Sequence, residues 1–352
     1  MPKKVGKLKL HMGPRQVGGP DDLLRAIVGF IDGAKRKLDI AVQELDNREI
    51  ADAIIRAKQR KVNVRLVLEG DYLKVDKPRP KPFQSGGKNE ANRILHDAIL
   101  RSAIQVHSDF NPKIFHQKFI VRDKSAVLTG STNFTDTGVT KNLNHLVEVH
   151  DRKVAKAYTQ EFKEIQNGRF GKLSLSHGPV PKNVTVSGLR TRVLFAPDHN
   201  PEMEIMKQML KAKRRIDFAI FTFSKSSGID DTMIALAKKG KIKIRGALES
   251  SAANQKWAAT RPVRNAGAQL WRVPKGNGVG KLHHKLMVID DQVVIAGSFN
   301  YTGPANLLND ENILVIGDLA ATTKRIRDRQ RRCAQYARFE IDRIIKDFGI
   351  KI

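Results

Sequence analysis

The chain has 352 residues, 40% of them hydrophobic, a single cysteine, and a formal net charge of +28 from 64 Lys+Arg against 36 Asp+Glu. That length buries a sizeable core without covalent staples; the lone Cys333 excludes an intramolecular disulfide, fits a reducing compartment and reads as structural. The basic N-terminus lacks the apolar run of a signal peptide, and no segment approaches about 18 consecutive apolar residues, so a cytoplasmic protein without integral membrane association is expected.

In chain order, Ala34-Lys-Arg-Lys-Leu-Asp-Ile-Ala-Val reads as a strand, residues 49–58 as a helix and residues 62–68 as an alternating strand. Residues 72–88 follow as a loop that three prolines keep out of a sheet. Its Lys74, Lys77, Arg79, Lys81 and Lys88 make it a candidate grip on nucleic acid, although a merely solvated loop has the same composition. Next come His116-Gln-Lys-Phe-Ile-Val-Arg-Asp, Gly130-Ser-Thr-Asn and Asn144-His-Leu-Val-Glu-Val-His-Asp. Residues 171–190, rich in Gly, Pro, Ser and Lys, read as a linker.

Beyond the linker the series recurs. Ala212-Lys-Arg-Arg-Ile-Asp-Phe-Ala-Ile, a helix over 231–239 and a strand over 242–248 lead to His283-His-Lys-Leu-Met-Val-Ile-Asp, Gly297-Ser-Phe-Asn and Glu311-Asn-Ile-Leu-Val-Ile-Gly-Asp. In both copies the Gly stands 14 residues after the His. Residues 319–352 read as a covering helix, with Arg325, Arg327, Arg329, Arg331 and Arg332 on a solvated or a phosphate-binding face. The expected fold is α/β, with two similar α/β/α lobes, each a mixed sheet covered by helices: residues 1–170, the linker 171–190, and residues 191–352.

The charge excess is even, +13 over residues 1–180 and +15 over 181–352. A polyanion touching the whole molecule, such as nucleic acid, fits that distribution; a solubility surface or attraction to anionic membranes is the alternative. Alternation places His116 with Lys118, and His283 with Lys285, on one strand face, and turns Gln117 and His284 the other way. For a phosphodiester, a neutral imidazole is a competent nucleophile and an imidazolium a competent acid, while lysines and asparagine amides surround the nonbridging oxygens. Neither copy has the carboxylate cluster of a Mg²⁺-dependent nuclease, so no metal or other cofactor is expected.

The paired His-x-Lys-x4-Asp segments, each followed by Gly-Ser-x-Asn, resemble the signature of the phospholipase D superfamily, closest in character to its bacterial nuclease branch. The resemblance spans both copies. It implies a pseudo-twofold with one active site at the lobe interface, where one of His116 and His283 forms a phosphohistidine and the other protonates the leaving oxygen. Lys118, Lys285, Asn133 and Asn300 would bind the phosphate, supported by Ser131 and Ser298. Family members carry a carboxylate that hydrogen-bonds a catalytic imidazole; Glu311 stands in that place, 28 residues after His283, and Asn144 holds the equivalent position. If the pairing crosses between lobes, Glu311 orients His116, which becomes the nucleophile, with His283 the acid.

Asp123 and Asp290 read as structural, Trp257, Trp271, Tyr72 and Tyr301 as packing residues, and His145, His150 and His284 have no assigned role. The motif sets the reaction and not the substrate. The readings are a nuclease on DNA or RNA, a phospholipase D or phosphatidyltransferase, and a nonenzymatic nucleic-acid-binding protein. Against the second, no apolar or aromatic loop of convincing length accompanies the motifs. A monomer suffices for a complete site, and a protein partner would have to supply sequence specificity.

Overall fold

The computed structural model describes residues 2–74, 86–175 and 178–352. Lys77, Arg79 and Lys81 lie outside the described residues.

The first repeat opens with β1 (Lys3–Val5), β2 (Leu8–Gly13), α1 (Leu23–Asp32), β3 (Lys37–Val42), α2 (Arg48–Gln59), β4 (Asn63–Leu68), α3 (Glu90–Arg101) and β5 (Gln105–Ser108). It closes with β6 (Lys118–Arg122), β7 (Ala126–Gly130), the short α4 (Asp136–Thr140), β8 (Asn144–Val149) and α5 (Arg152–Gln166). Asp22 and Asn47 cap α1 and α2 by accepting from the N–H groups of Arg25 and Ile50. The apolar faces of both helices, with Ile27, Ile31, Ile50 and Ile54, bury Leu38, Ile40 and Leu66 of the sheet. β3 runs parallel to β4 and antiparallel to β6, as a helical crossover on one side and a return strand on the other require.

The second repeat contains β9 (Val184–Val186), β10 (Leu189–Ala196), α6 (Pro201–Leu210), β11 (Arg215–Ile220), α7 (Gly228–Lys238), β12 (Lys243–Glu249), α8 (Ser250–Ala253), α9 (Thr260–Asn265) and β13 (Gln269–Val273). β14 (Lys285–Ile289), β15 (Val293–Gly297), α10 (Gly303–Leu307), β16 (Glu311–Ile316), α11 (Lys324–Phe348) and β17 (Ile350–Lys351) complete it. The sheets match position for position: β5-β4-β3-β6-β7-β8-β2-β1 against β13-β12-β11-β14-β15-β16-β10-β9, with β17 added beside β13. The chain is thus two similar α/β lobes with mixed sheets.

One boundary differs from the sequence reading. The stretch 171–190 contains β9, which pairs with β10, so its end belongs to the second sheet. The C-terminal helix does cover sheet, and that of both lobes at once: α11 packs against strands of both sheets. Its Cys333, Ala337 and Ile341 join Tyr158 and Phe162 of α5, Val121 and Val147 of the first sheet, and Leu286 and Val294 of the second in one shared core. Tyr336 Oη donates to Asp21 at 2.5 Å and Arg343 to the Val17 carbonyl at 3.0 Å, tying the helix to the first lobe. Of its arginines, Arg325, Arg327, Arg331 and Arg332 are exposed, whereas Arg329 bonds the Ser187 carbonyl.

Candidate active site

Just before β6 and β14, each chain segment reaches across to the other lobe. Phe115 bridges Asp310 and Leu143 bridges Leu282, both in parallel. The His116 N–H donates to the Asp310 carbonyl at 3.0 Å, and the His283 N–H to the Leu143 carbonyl at 2.9 Å. These are one contact with the lobes exchanged, since both pairs of equivalent positions are offset alike in sequence. The lobes therefore meet about a pseudo-twofold whose backbone bonds fix both histidines.

The two imidazoles lie 6.4 Å apart between ring centroids, inclined at 74°, a spacing that admits one phosphoryl group between them. His116 Nδ1 is 2.7 Å from Glu311 Oε2, and Ser298 Oγ donates to the same oxygen at 2.5 Å. His283 Nδ1 is 3.0 Å from Asn144 Oδ1, to which Ser131 Oγ donates at 2.8 Å. Asn144 Nδ2 donates to the Gly138 carbonyl. Each imidazole thus takes its partner from the other lobe. The serine hydroxyls are fully buried and act on the carboxylate and amide that orient the imidazoles, not directly on a phosphate; Asn144 likewise serves His283.

Burial, then the Lys118 and Lys285 ammoniums, push the His116 pKa well below its ordinary value; burial, then Lys285, Lys281 and Lys118, do the same for His283. Both rings are therefore held in their neutral form, with Nδ1 of each taken by a partner from the other lobe. Burial pushes Glu311 up to about 8 against the pull of Lys118 and Ser298. Lys118 Nζ donates to Gln43 Oε1 at 3.0 Å and to the His116 carbonyl at 2.8 Å, and burial brings it down to about 7. Lys285 Nζ donates to the His283 carbonyl at 2.9 Å and lies 5.1 Å over the Phe221 ring.

The asparagines are less symmetric. Asn133 Nδ2 donates to Glu44 Oε2 at 2.8 Å, whereas Asn300 Oδ1 accepts from the Thr222 N–H at 3.2 Å. Glu44 is raised by burial, then by Asp46, and is drawn down by Lys118 and Lys281. Gln43, Glu44, Phe221 and Lys281 are therefore at the site without belonging to either motif. For Lys281 the sequence carried a signal, because Lys281-Leu-His283-His-Lys285 extends the alternation one step upstream. For Glu44 nothing in the sequence marked the site.

Gln117 and His284 do face away from the cleft. Gln117 bonds Glu161 and Asn312, while His284 stacks on His145 at 5.3 Å with their Nδ1 atoms 3.1 Å apart. His150 meets Glu148 at the surface. Asp123 accepts the N–H groups of Lys35, Arg36 and Lys37, and Asp290 those of Lys213, Arg214 and Arg215, so both pin the entry to a central strand. Tyr301 is core, Tyr72 and Trp271 are half-buried, and Trp257 is exposed. Lys74 is exposed and paired with Asp71, and the Lys88 carbonyl accepts from Arg93. Among the described residues, Glu161, Glu164 and Asp198 are the carboxylates grouped closely enough for a cation; Glu161 is reached through Gln117, behind the histidines. The cleft itself is cationic and suits an anion.

The family described as cardiolipin synthase, PLD-like domain, matches residues 27–166 and 205–332. A mitochondrial cardiolipin hydrolase of Xenopus tropicalis is 29% identical over 132 residues, 38% of this chain and 55% of that protein. A phospholipase D of Rickettsia felis is 30% identical over 143 residues, 41% of this chain and 64% of that one. The chain thus matches less than two thirds of either relative. The phosphatidylserine synthase of Haemophilus influenzae Rd KW20 shares the fold over the whole of this chain and 89% of its own, with a TM-score of 0.67 at 14% identity. With the family matched in both repeats and one site built between them, the chain belongs to the phospholipase D superfamily, through its cardiolipin synthase-like, PLD-like domain.

Proposed function

We propose that the chain hydrolyses phosphodiesters through a phosphohistidine on His116, without a metal, and that its substrate is nucleic acid. The crossed pairing carries the mechanism: an ionisable carboxyl on His116 Nδ1 and an amide on His283 Nδ1. His116 Nε2 attacks phosphorus, the bond to the leaving oxygen breaks, and His283 supplies the proton to that oxygen. The charge gained by the phosphorylated imidazole favours the ionised form of Glu311 that burial otherwise disfavours, and Glu311 stabilises it in turn. His283 then takes a proton from water, the hydroxide attacks phosphorus, and the P–N bond breaks. The bound phosphate anion favours the protonated His283 that burial otherwise disfavours. Lys118 and Lys285 offset the charge that builds on the nonbridging oxygens.

The charge of +28, spread over both lobes, supports a polyanionic substrate. A second reading, phospholipid, is favoured by a surface that the sequence did not lead one to expect. Phe110, Leu173 and Leu307 are 87%, 67% and 60% exposed and flank grooves of about 430 and 500 Å³ whose lining, among the described residues, is largely apolar, with Lys113 and Lys172 and no carboxylate. Asn111, next to Phe110, bonds Asp310, the neighbour of Glu311. The named activities of the two relatives point the same way.

The test uses bis(p-nitrophenyl) phosphate, whose leaving group needs no proton, in EDTA. His283→Ala is expected to release one equivalent of nitrophenolate and stall with phosphorus on His116, found by mass spectrometry, and His116→Ala to release none. A burst in His116→Ala with label on His283 reverses the roles. Parallel incubation with DNA, RNA and anionic vesicles decides the substrate, and cutting of lipid alone overturns the nucleic-acid reading.

A further inference from the structure

Lys281 stands two residues before His283, so the alternation that sets His283 and Lys285 on one face carries Lys281 onto it. Its backbone is held from the first lobe: the Leu143 N–H donates to the Lys281 carbonyl and the Gly280 N–H to the Lys141 carbonyl, each at 2.9 Å. The ammonium lies 5.4 Å from the centre of the Phe221 ring, which Lys285 also approaches, at 5.1 Å. From there it disfavours positive charge on His116, His283, Lys118 and Lys285. The side chain is half-buried and, among the described residues, forms no ion pair. Its equivalent in the first lobe is Ile114, 45% exposed, so the two sides of the cleft differ in charge.

A phosphodiester carries one negative charge, and Lys118 and Lys285 already flank the histidines that receive it. The field of Glu44 reaches Lys118 and Lys281 alike, but a third ammonium that makes no ion pair is left without a contact partner by one phosphate and is given one by a second. We propose that Lys281 forms a subsite for a second phosphate of the substrate, carried by the alcohol that leaves from the His283 side. The inference rests on the phosphodiesterase reading above. Lys281 shares a segment with His283, which protonates the leaving oxygen, so the second phosphate belongs to the leaving group and not to the phosphoryl group held on His116. A nucleic-acid strand and a phospholipid bearing two phosphates both offer that chemistry.

The experiment is calorimetric binding to the full chain of thymidine 5′-phosphate against thymidine 3′,5′-bisphosphate, and of short-chain glycerophospholipids with one against two phosphates. In at least one pair the two-phosphate ligand is expected to bind about tenfold tighter, the scale of one charge-assisted hydrogen bond. Lys281→Gln should bring that pair to within about twofold, and Lys281→Arg should keep the difference. Discrimination within the nucleotide pair identifies a nucleic-acid source, and within the lipid pair a phospholipid one; both support the subsite. No preference for the second phosphate in either pair, or equal weakening of both members by Lys281→Gln, overturns it. Binding needs no turnover, so failure of the hydrolysis assay and failure of this subsite are read separately.

Discussion

One substitution between the repeats, Glu311 for Asn144, breaks the symmetry of the site. Both side chains accept from a histidine Nδ1 and a serine hydroxyl at matching positions, yet only one can ionise. Its burial has a cost that titration can read. Glu311 ordinarily ionises near 4.5 and is raised to about 8 in the fold, so between those pH values the folded chain keeps a proton that the unfolded chain has released. Stability from this group is therefore present below pH 4.5 and is lost as pH rises towards 8. Glu311→Gln cannot ionise and should flatten that loss: its stability relative to the parent should improve between pH 5 and 8 in urea melts, while hydrolysis falls. A difference that does not change with pH would mean that Glu311 is ionised throughout.

At the scale of the element, the Gly of each Gly-Ser-x-Asn ends its strand where a neighbour passes closely. A Cβ on Gly130 would lie 2.2 Å from the His145 carbonyl oxygen, and one on Gly297 2.1 Å from that of Asn312. The following serines bond back to those same residues: Ser131 to the His145 N–H and Ser298 to the Asn312 N–H. The motif is thus a strand terminus that lets β7 meet β8, and β15 meet β16, closely enough to orient Asn144 and Glu311. Gly297→Ala should destabilise by about 2 kcal/mol or more, since the clash is with backbone, and should lower turnover in the protein that remains folded. Denaturation midpoints and specific activity check both. The Gly-Ser-x-Asn spacing was legible in the sequence; that the serine faces the imidazole's partner and not the phosphate was not, because a turn can aim its hydroxyl either way.

For the whole molecule, the site exists only where the lobes meet, and α5 and α11 occupy the shared core between the sheets. Residues 1–170 and 191–352 produced separately should each be inactive, because Glu311 is absent from the first and the Asn144 that seats His283 is absent from the second. Residues 1–170 should also expose the face that α11 covers and be prone to aggregate. Activity in either fragment alone would refute a site shared between the repeats; hydrolysis assays and light scattering of the purified fragments decide.

The sequence by itself determined the repeat, the equal spacing of the motifs, and, through the period of two along a strand, which side chains share a face with each histidine. Those are local properties, carried by neighbouring residues. Only the tertiary structure decided that Glu311 serves His116 and Asn144 serves His283, contacts across 195 and 139 residues. It alone placed one face of the C-terminal helix in a core shared by both lobes and brought Glu44 and Lys281 into one cleft. Periodicity selects the face a residue occupies; what that face meets depends on how two sheets pack, and no local pattern encodes it.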